Sequence, residues 1–280
     1  MTKSRPMWCL IESDPDVFTA IIEEFGVKGL DVIELFGLEE KDLNSLNGVH
    51  GFVFLFKWDQ TVKQNEVGFK GDCFFAKQMI ENACATQAIL SILFNSPGIE
   101  LGPLSEFKSF AEDFTAEMKG EAISEYPLFM NVHNSFAQKV LLFDESPEQT
   151  SQEAFHFVSF LPINGKLCEF DGLKEFPVLH GDCTEDTWRS LTARILKNRV
   201  SQASGELRFN LMAIVRKRLD ILHQNLNEAQ EDPYITTEIY SQIQEEQDRV
   251  SQRIQDNNRR RHNYVPLLLE TLKILSKSDQ

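Results

Sequence analysis

Apolar residues fall into helical and strand rhythms along the first two-thirds of this chain, and into a sparser helical rhythm after residue 218. Val17, Phe18, Ile21, Ile22 and Phe25 recur at helical spacing behind Ser13-Asp14-Pro15, a capping residue with a first-turn proline, and Gly26 closes the run. Leu30 to Leu38 predicts a strand and a short helix. Val49 to Trp58 (Val-His-Gly-Phe-Val-Phe-Leu-Phe-Lys-Trp) is β-branched and aromatic, the pattern of one buried strand. A turn is expected over Gly68 to Asp72. Phe74 and Phe75 then lead into an apolar helix that contains Cys84 and runs to about Phe94, stopping before Ser96-Pro97-Gly98. Helices should dominate from Leu104 to Ala137.

Asp144 to Glu153 (Asp-Glu-Ser-Pro-Glu-Gln-Thr-Ser-Gln-Glu) has no apolar period and is expected to be a mobile loop. Two strands are predicted next, Ala154–Ile163 and Lys166–Asp171, and Leu207–Val215 reads as the last strand of the core. After Arg218, Ile235, Ile239, Ile243, Val250 and Ile254 recur amid Gln and Glu, which predicts a long helix with one narrow apolar stripe. Arg259-Arg260-Arg261 ends it near Asn263, and Pro266 opens a final helix, Leu267 to Leu275. A stripe this thin wants a partner, either the core or another protein. The chain is therefore divided into a core domain, 1–217, and a helical extension, 218–280.

The 280 residues suffice for one large domain plus an appendage, and 42% hydrophobic content can fill its core. A net charge of −15 argues against a nucleic-acid partner or an acidic membrane surface. No stretch approaches the length of a membrane span, and the N-terminal apolar run is too short for a signal peptide. Five cysteines (9, 73, 84, 168, 183) without paired spacing fit a reducing compartment, so cytoplasmic and nuclear locations are expected. No cofactor and no metal are expected. His180-Gly-Asp-Cys183 is half of a zinc pattern without a second half. His133-Asn134 lacks a carboxylate placed by spacing and reads as loop structure.

Cys84 is the candidate for chemistry. A thiol at a helix start meets partial positive charge and unpaired N–H groups, which favour thiolate and can hold an oxyanion. A lone buried cysteine more often only fills space, so its partners decide the matter. Asn82 is the expected N-cap. Gln78 offers an amide donor six residues before the thiol. His156 lies inside a strand, Phe155-His-Phe-Val-Ser-Phe160. Asn164-Gly165 predicts a two-residue type I′ hairpin in which paired positions sum to 329. His156 then faces Leu173, Val158 faces Asp171, and Asp171 is the diagonal neighbour of His156. A carboxylate there fixes the histidine tautomer, giving a papain-like set in the order Gln78, Cys84, His156, Asp171.

Phe75-Ala-Lys-Gln78-Met-Ile-Glu-Asn82-Ala-Cys84-Ala-Thr-Gln-Ala-Ile, Phe155-His156-Phe157 and Leu167-Cys-Glu-Phe-Asp171-Gly172-Leu173 resemble the ubiquitin C-terminal hydrolase family of cysteine proteases. Trp8 to Pro15, Val49 to Trp58, Val132 to Ala137, Glu206 to Val215 and Arg260 to Pro266 resemble its longer, proteasome-associated branch. The resemblance implies an α/β fold with a central antiparallel sheet flanked by helices, a knotted backbone and a C-terminal helical extension. It implies that Gln78 supplies the oxyanion donor, Cys84 the nucleophile, His156 the base and Asp171 its orienter. It places a substrate-gating crossover loop at about Gln138 to Glu153, including Asp144. It implies ubiquitin conjugates as substrates and a proteasomal ubiquitin-receptor subunit as partner of the C-terminal helices. The competing reading is a ubiquitin-binding adaptor that acts mainly through those helices.

Overall fold

Asp14 sets the first helix. Its carboxylate accepts from the N–H groups of Asp16 and Val17, and Pro15 occupies the first turn. Gly26 ends the run at φ +88°, a value that favours glycine. The computed structural model describes residues 7–57, 66–137, 155–202, 209–229 and 233–278. In chain order these form α1 (Pro15–Glu24), β1 (Leu30–Leu35), α2 (Glu40–Asn44), β2 (Val49–Lys57), α3 (Cys84–Asn95), α4 (Leu104–Phe110), α5 (Ala116–Glu125) and α6 (Pro127–Ser135). They continue as β3 (Phe155–Ile163), β4 (Lys166–Phe170), β5 (Val178–Asp182), α7 (Trp188–Gln202), β6 (Phe209–Arg216), α8 (Arg218–Glu228), α9 (Pro233–Arg261) and α10 (Val265–Ser278).

The strands make one six-stranded sheet in the order β1-β6-β2-β3-β4-β5. Every pairing is antiparallel. The architecture is thus α+β, with helices over both faces. Strand alternation builds two cores. Phe52, Phe54, Val158, Phe160 and Leu211 pack with Trp188 and Leu196 of α7 and Leu43 of α2. Val53, Phe157, Leu161 and Met212 pack with Phe18 and Ile22 of α1 and with Ile89 and Leu93 of α3. Residues 85–94 of α3 are all buried, so only its two end residues, Cys84 and Asn95, reach the surface of that core.

Asn164 and Gly165 take φ +49° and +75°, as a type I′ turn requires. The β3–β4 ladder runs from Ile163↔Lys166 to Ser159↔Phe170, the register that sums to 329, with no bulge at Pro162. It stops there. Asp171 Oδ1 accepts from the Leu173 N–H and Asp171 O from the Lys174 N–H, so the chain turns away and Leu173 does not face His156.

Two elements had no forecast, β5 and α7. The C-terminal region also departs from the apolar-stripe reading. Ile239 and Ile243 of α9 bury against Leu222 of α8, but Ile235 and Ile254 are exposed. The later half of α9 docks through polar residues. Arg253 and Asn257 are buried, with Arg253 bonded to Asp31 and Glu23 and Asn257 donating to the Asp16 carbonyl. Arg260 pairs with the capping residue Asp14. On α10, Leu267, Leu268, Leu269, Leu272, Ile274 and Leu275 are all exposed. No helix of the described residues is long and apolar enough to cross a membrane.

Candidate active site

Cys84 is the first residue of α3 and is half-buried. The N-cap position belongs to Ala83, and no side chain caps the helix. The first-turn N–H groups therefore keep their capacity for an anion. The expected cap, Asn82, does something else. It sits in the left-handed region at φ +65°, which asparagine tolerates, and its Nδ2 donates to the Trp8 carbonyl at 3.0 Å. Asn82 shapes the turn that delivers the thiol and leaves the helix start open.

His156 lies near the start of β3, opposite Phe56 of β2, just past the end of the β4 ladder. Its Nε2 is 2.6 Å from Asp171 Oδ1, and both side chains are buried. An ionised carboxylate only accepts, so Nε2 carries the proton and Nδ1 is left for Cys84. Burial alone would lower the His156 pKa. Hydrogen bonds to Asp171 and Cys84, and the charges of both, outweigh that and raise it to about 9. The structure thus joins His156 directly to Asp171 and sets Cys84 near enough to the same ring to raise its pKa.

Gln78 lies on an extended segment beside α3. Its N–H donates to the Gly172 carbonyl at 2.8 Å, and its Nε2 donates to Ile80 O at 3.0 Å. An amide nitrogen has two hydrogens, so one is pinned and the other remains available. The loop positions Gln138, Asp144 and Glu153 lie outside the described residues. Cys73 and Cys168 are different from Cys84. Burial pushes their thiols up, to about 11 and about 12, which keeps them protonated and unreactive at neutral pH.

Residues 8–201 match the family model described as ubiquitin carboxyl-terminal hydrolase, family 1, and residues 237–280 match one described as ubiquitin carboxyl-terminal hydrolases. The chain belongs to the ubiquitin carboxyl-terminal hydrolase family. It is 39% identical to ubiquitin carboxyl-terminal hydrolase isozyme L5 of Dictyostelium discoideum, over 97% of this chain and 92% of that protein. It is 37% identical to ubiquitin carboxyl-terminal hydrolase 2 of Schizosaccharomyces pombe, over 96% of this chain and 91% of the relative. The crystal structure of Trichinella spiralis UCH37 bound to ubiquitin vinyl methyl ester superposes with a TM-score of 0.74 at 32% identity, covering 88% of this chain and 99% of that one. These likenesses put the chain in the longer branch of the ubiquitin carboxyl-terminal hydrolases and make it a cysteine-type enzyme.

Three features of this ubiquitin carboxyl-terminal hydrolase differ from the sequence reading or lie outside it. His133 is on α6, not in a loop. It is fully buried, with Nε2 donating to the Cys9 carbonyl at 2.7 Å and Nδ1 accepting from Thr86 Oγ1 at 2.8 Å. Burial lowers its pKa to about 4, so it stays neutral near pH 7. Second, Arg199 of α7 makes a bidentate pair with Glu169 of β4 at 2.9 and 2.7 Å, and His180 also bonds Glu169, at 2.7 Å. Burial opposes the Glu169 charge, but these two partners hold its pKa at about 2. The Arg199 guanidinium lies over the Phe56 ring, whose edge-on partner is His156. Third, Gln87 anchors the segment that carries Gln78. A charged residue inside the apolar run Leu167-Cys-Glu-Phe was a visible signal for the second feature. The others arise from contacts across more than one element.

Proposed function

We propose that this enzyme hydrolyses the amide or isopeptide bond after the C-terminal glycine of ubiquitin. Cys84 is the nucleophile, His156 the general base and acid, Asp171 its orienter and Gln78 an oxyanion donor. One observation carries the assignment: buried His156 bonds Asp171 through Nε2 at 2.6 Å, which leaves its other nitrogen for a thiol. The proton of the thiol passes to His156, and the thiolate adds to the glycine carbonyl. Gln78 Nε2 and first-turn N–H groups of α3 hold the oxyanion, each such donor worth roughly 3 kcal/mol in the transition state. His156 then gives its proton to the departing amine. A thioester remains, and water activated by His156 releases it.

Ubiquitin vinyl methyl ester tests the reading directly. The expected result is one covalent adduct, located on Cys84 by peptide mapping. An adduct on another cysteine, or none, would overturn it.

The exposed apolar side chains of α10 support a further part of the proposal. The helical extension docks on a proteasomal ubiquitin-receptor subunit, and the enzyme edits ubiquitin chains there, in cytoplasm and nucleus. Calorimetry with that subunit should show binding by the full chain and loss of binding when residues 265–280 are removed. Equal binding by both would assign the docking role elsewhere.

A further inference from the structure

Residues 74–78 run along α3 without joining the sheet, and side chains of α3 satisfy their backbone. Asn95 Oδ1 accepts from the Phe74 N–H at 2.7 Å, and Asn95 Nδ2 donates to Phe74 O at 2.9 Å. Two turns earlier, Gln87 Nε2 donates to Ala76 O. Lys77 N–H donates to Ala116 O, and Gln78 N–H donates to Gly172 O. Gln87 stands three residues after Cys84 on the same rigid helix and is buried. Its amide therefore ties the segment that ends in Gln78 to the helix that begins with Cys84.

Gly172 closes the arrangement. A Cβ on it would stand 2.9 Å from Gln78 Cβ and 2.9 Å from Gln87 Nε2, too close for either neighbour to stay in place. The residue before it is Asp171. The glycine is required for space and not for backbone conformation, because its φ is not in the left-handed region. Cys84, Gln78 and Asp171 thus meet through two residues that have no role in the proposed chemistry.

We infer that Gln87 and Gly172 are positioning residues that set the Gln78 amide relative to the Cys84 thiol. The inference rests on the proposed role of Gln78 as oxyanion donor. A donor must lie within hydrogen-bond reach of where charge develops, and a shift of about 1 Å can cost 100-fold in rate. Gln87→Met keeps the size of the side chain and loses the amide. Gly172→Ala pushes on both neighbours.

The test measures kcat and KM on ubiquitin with a fluorogenic C-terminal amide, for wild type, Gln87→Met, Gly172→Ala, Gln78→Ala and the pair Gln78→Ala/Gln87→Met. Site-resolved alkylation of Cys84 by iodoacetamide, which develops no oxyanion, is followed in parallel. Gln87→Met and Gly172→Ala should lower kcat about 10-fold or more with KM within about twofold. Cys84 alkylation should keep its rate. In the Gln78→Ala background, Gln87→Met should add nothing. Additive losses in the pair, or alkylation falling in step with kcat, would overturn the inference and make Gln87 a packing residue. Failure of the vinyl methyl ester to label wild-type Cys84 would instead overturn the reaction assignment itself, so the two failures are distinguishable.

Discussion

Arg253 Nη1 lies 3.2 Å from Asp31 Oδ1 and joins α9 to β1 across 222 residues of sequence. Both side chains are buried, 5% and 2% exposed, and the second guanidinium nitrogen reaches Glu23 at 3.1 Å. Removing one partner of such a pair leaves an uncompensated buried charge, which typically costs about 3–5 kcal/mol. Arg253→Met is expected to lose stability of that order in urea unfolding at pH 7. Adding Asp31→Asn should recover part of the loss, because the orphaned charge is gone. A chain ending at 217 removes the same cation and should be similarly destabilised, even though residues 78, 84, 156 and 171 are all retained. A change within about 0.5 kcal/mol for Arg253→Met, the usual range of a plain surface substitution, would show that water reaches Asp31.

Cys84→Ala should abolish hydrolysis of ubiquitin C-terminal amides and leave ubiquitin affinity nearly unchanged. It is the cysteine at a helix start that has a partnered histidine. Steady-state hydrolysis and calorimetry on the same preparation check it, and turnover above the background rate would refute the nucleophile.

Asp171→Asn is expected to lower turnover by roughly 10²–10⁴-fold, since the carboxylate fixes the histidine tautomer. It should also move the alkaline limb of the pH profile. Burial pulls the His156 pKa down, and the Asp171 and Cys84 bonds carry it back up to about 9. The charged histidine is then fully present below its unfolded value of about 6.5 and is lost as pH rises through about 9. The same window holds for its contribution to stability. Without the carboxylate, the limb in kcat/KM should shift to lower pH. An unshifted limb would separate Asp171 from His156 protonation.

His133 carries the opposite sign. Burial depresses its pKa to about 4, so the folded chain resists a proton that the unfolded chain accepts. Its contribution is complete above about pH 6.5 and is lost as pH falls toward 4, roughly 3 kcal/mol across the window. His133→Gln should flatten the acid limb of stability between those values in urea titrations. A limb of unchanged slope would assign acid lability to other groups.

Much of the fold could be read where local rules govern. Asp14-Pro15 and Gly26 bounded α1, and Asn164-Gly165 set the β3–β4 register, because a single turn dictates both. The same register predicts Asp171 as the neighbour of His156, and the two are hydrogen-bonded. What stayed hidden depends on distant partners. The docking face of α9 is polar (Glu246, Arg253 and Asn257 are buried), so an apolar stripe picked the wrong row at Ile235 and Ile254. The role of Asn82 is not visible locally, because its acceptor, Trp8 O, lies 74 residues earlier. Gln87 reads as an ordinary helix residue until the segment it holds is laid against it.

The place of β6 between β1 and β2 has a consequence for synthesis. Among the described strands, β1 hydrogen-bonds only to β6, and β2 keeps one open edge until β6 arrives. A ribosome that has released everything up to residue 208 has delivered all four proposed catalytic side chains and five of the six strands. The sheet is still in two pieces. The strand that unites them comes last, so a nascent chain carries an unpaired apolar edge for most of its translation, the hazard that holding chaperones relieve. Eight late residues, Phe209 to Arg216, decide when this molecule becomes a single body.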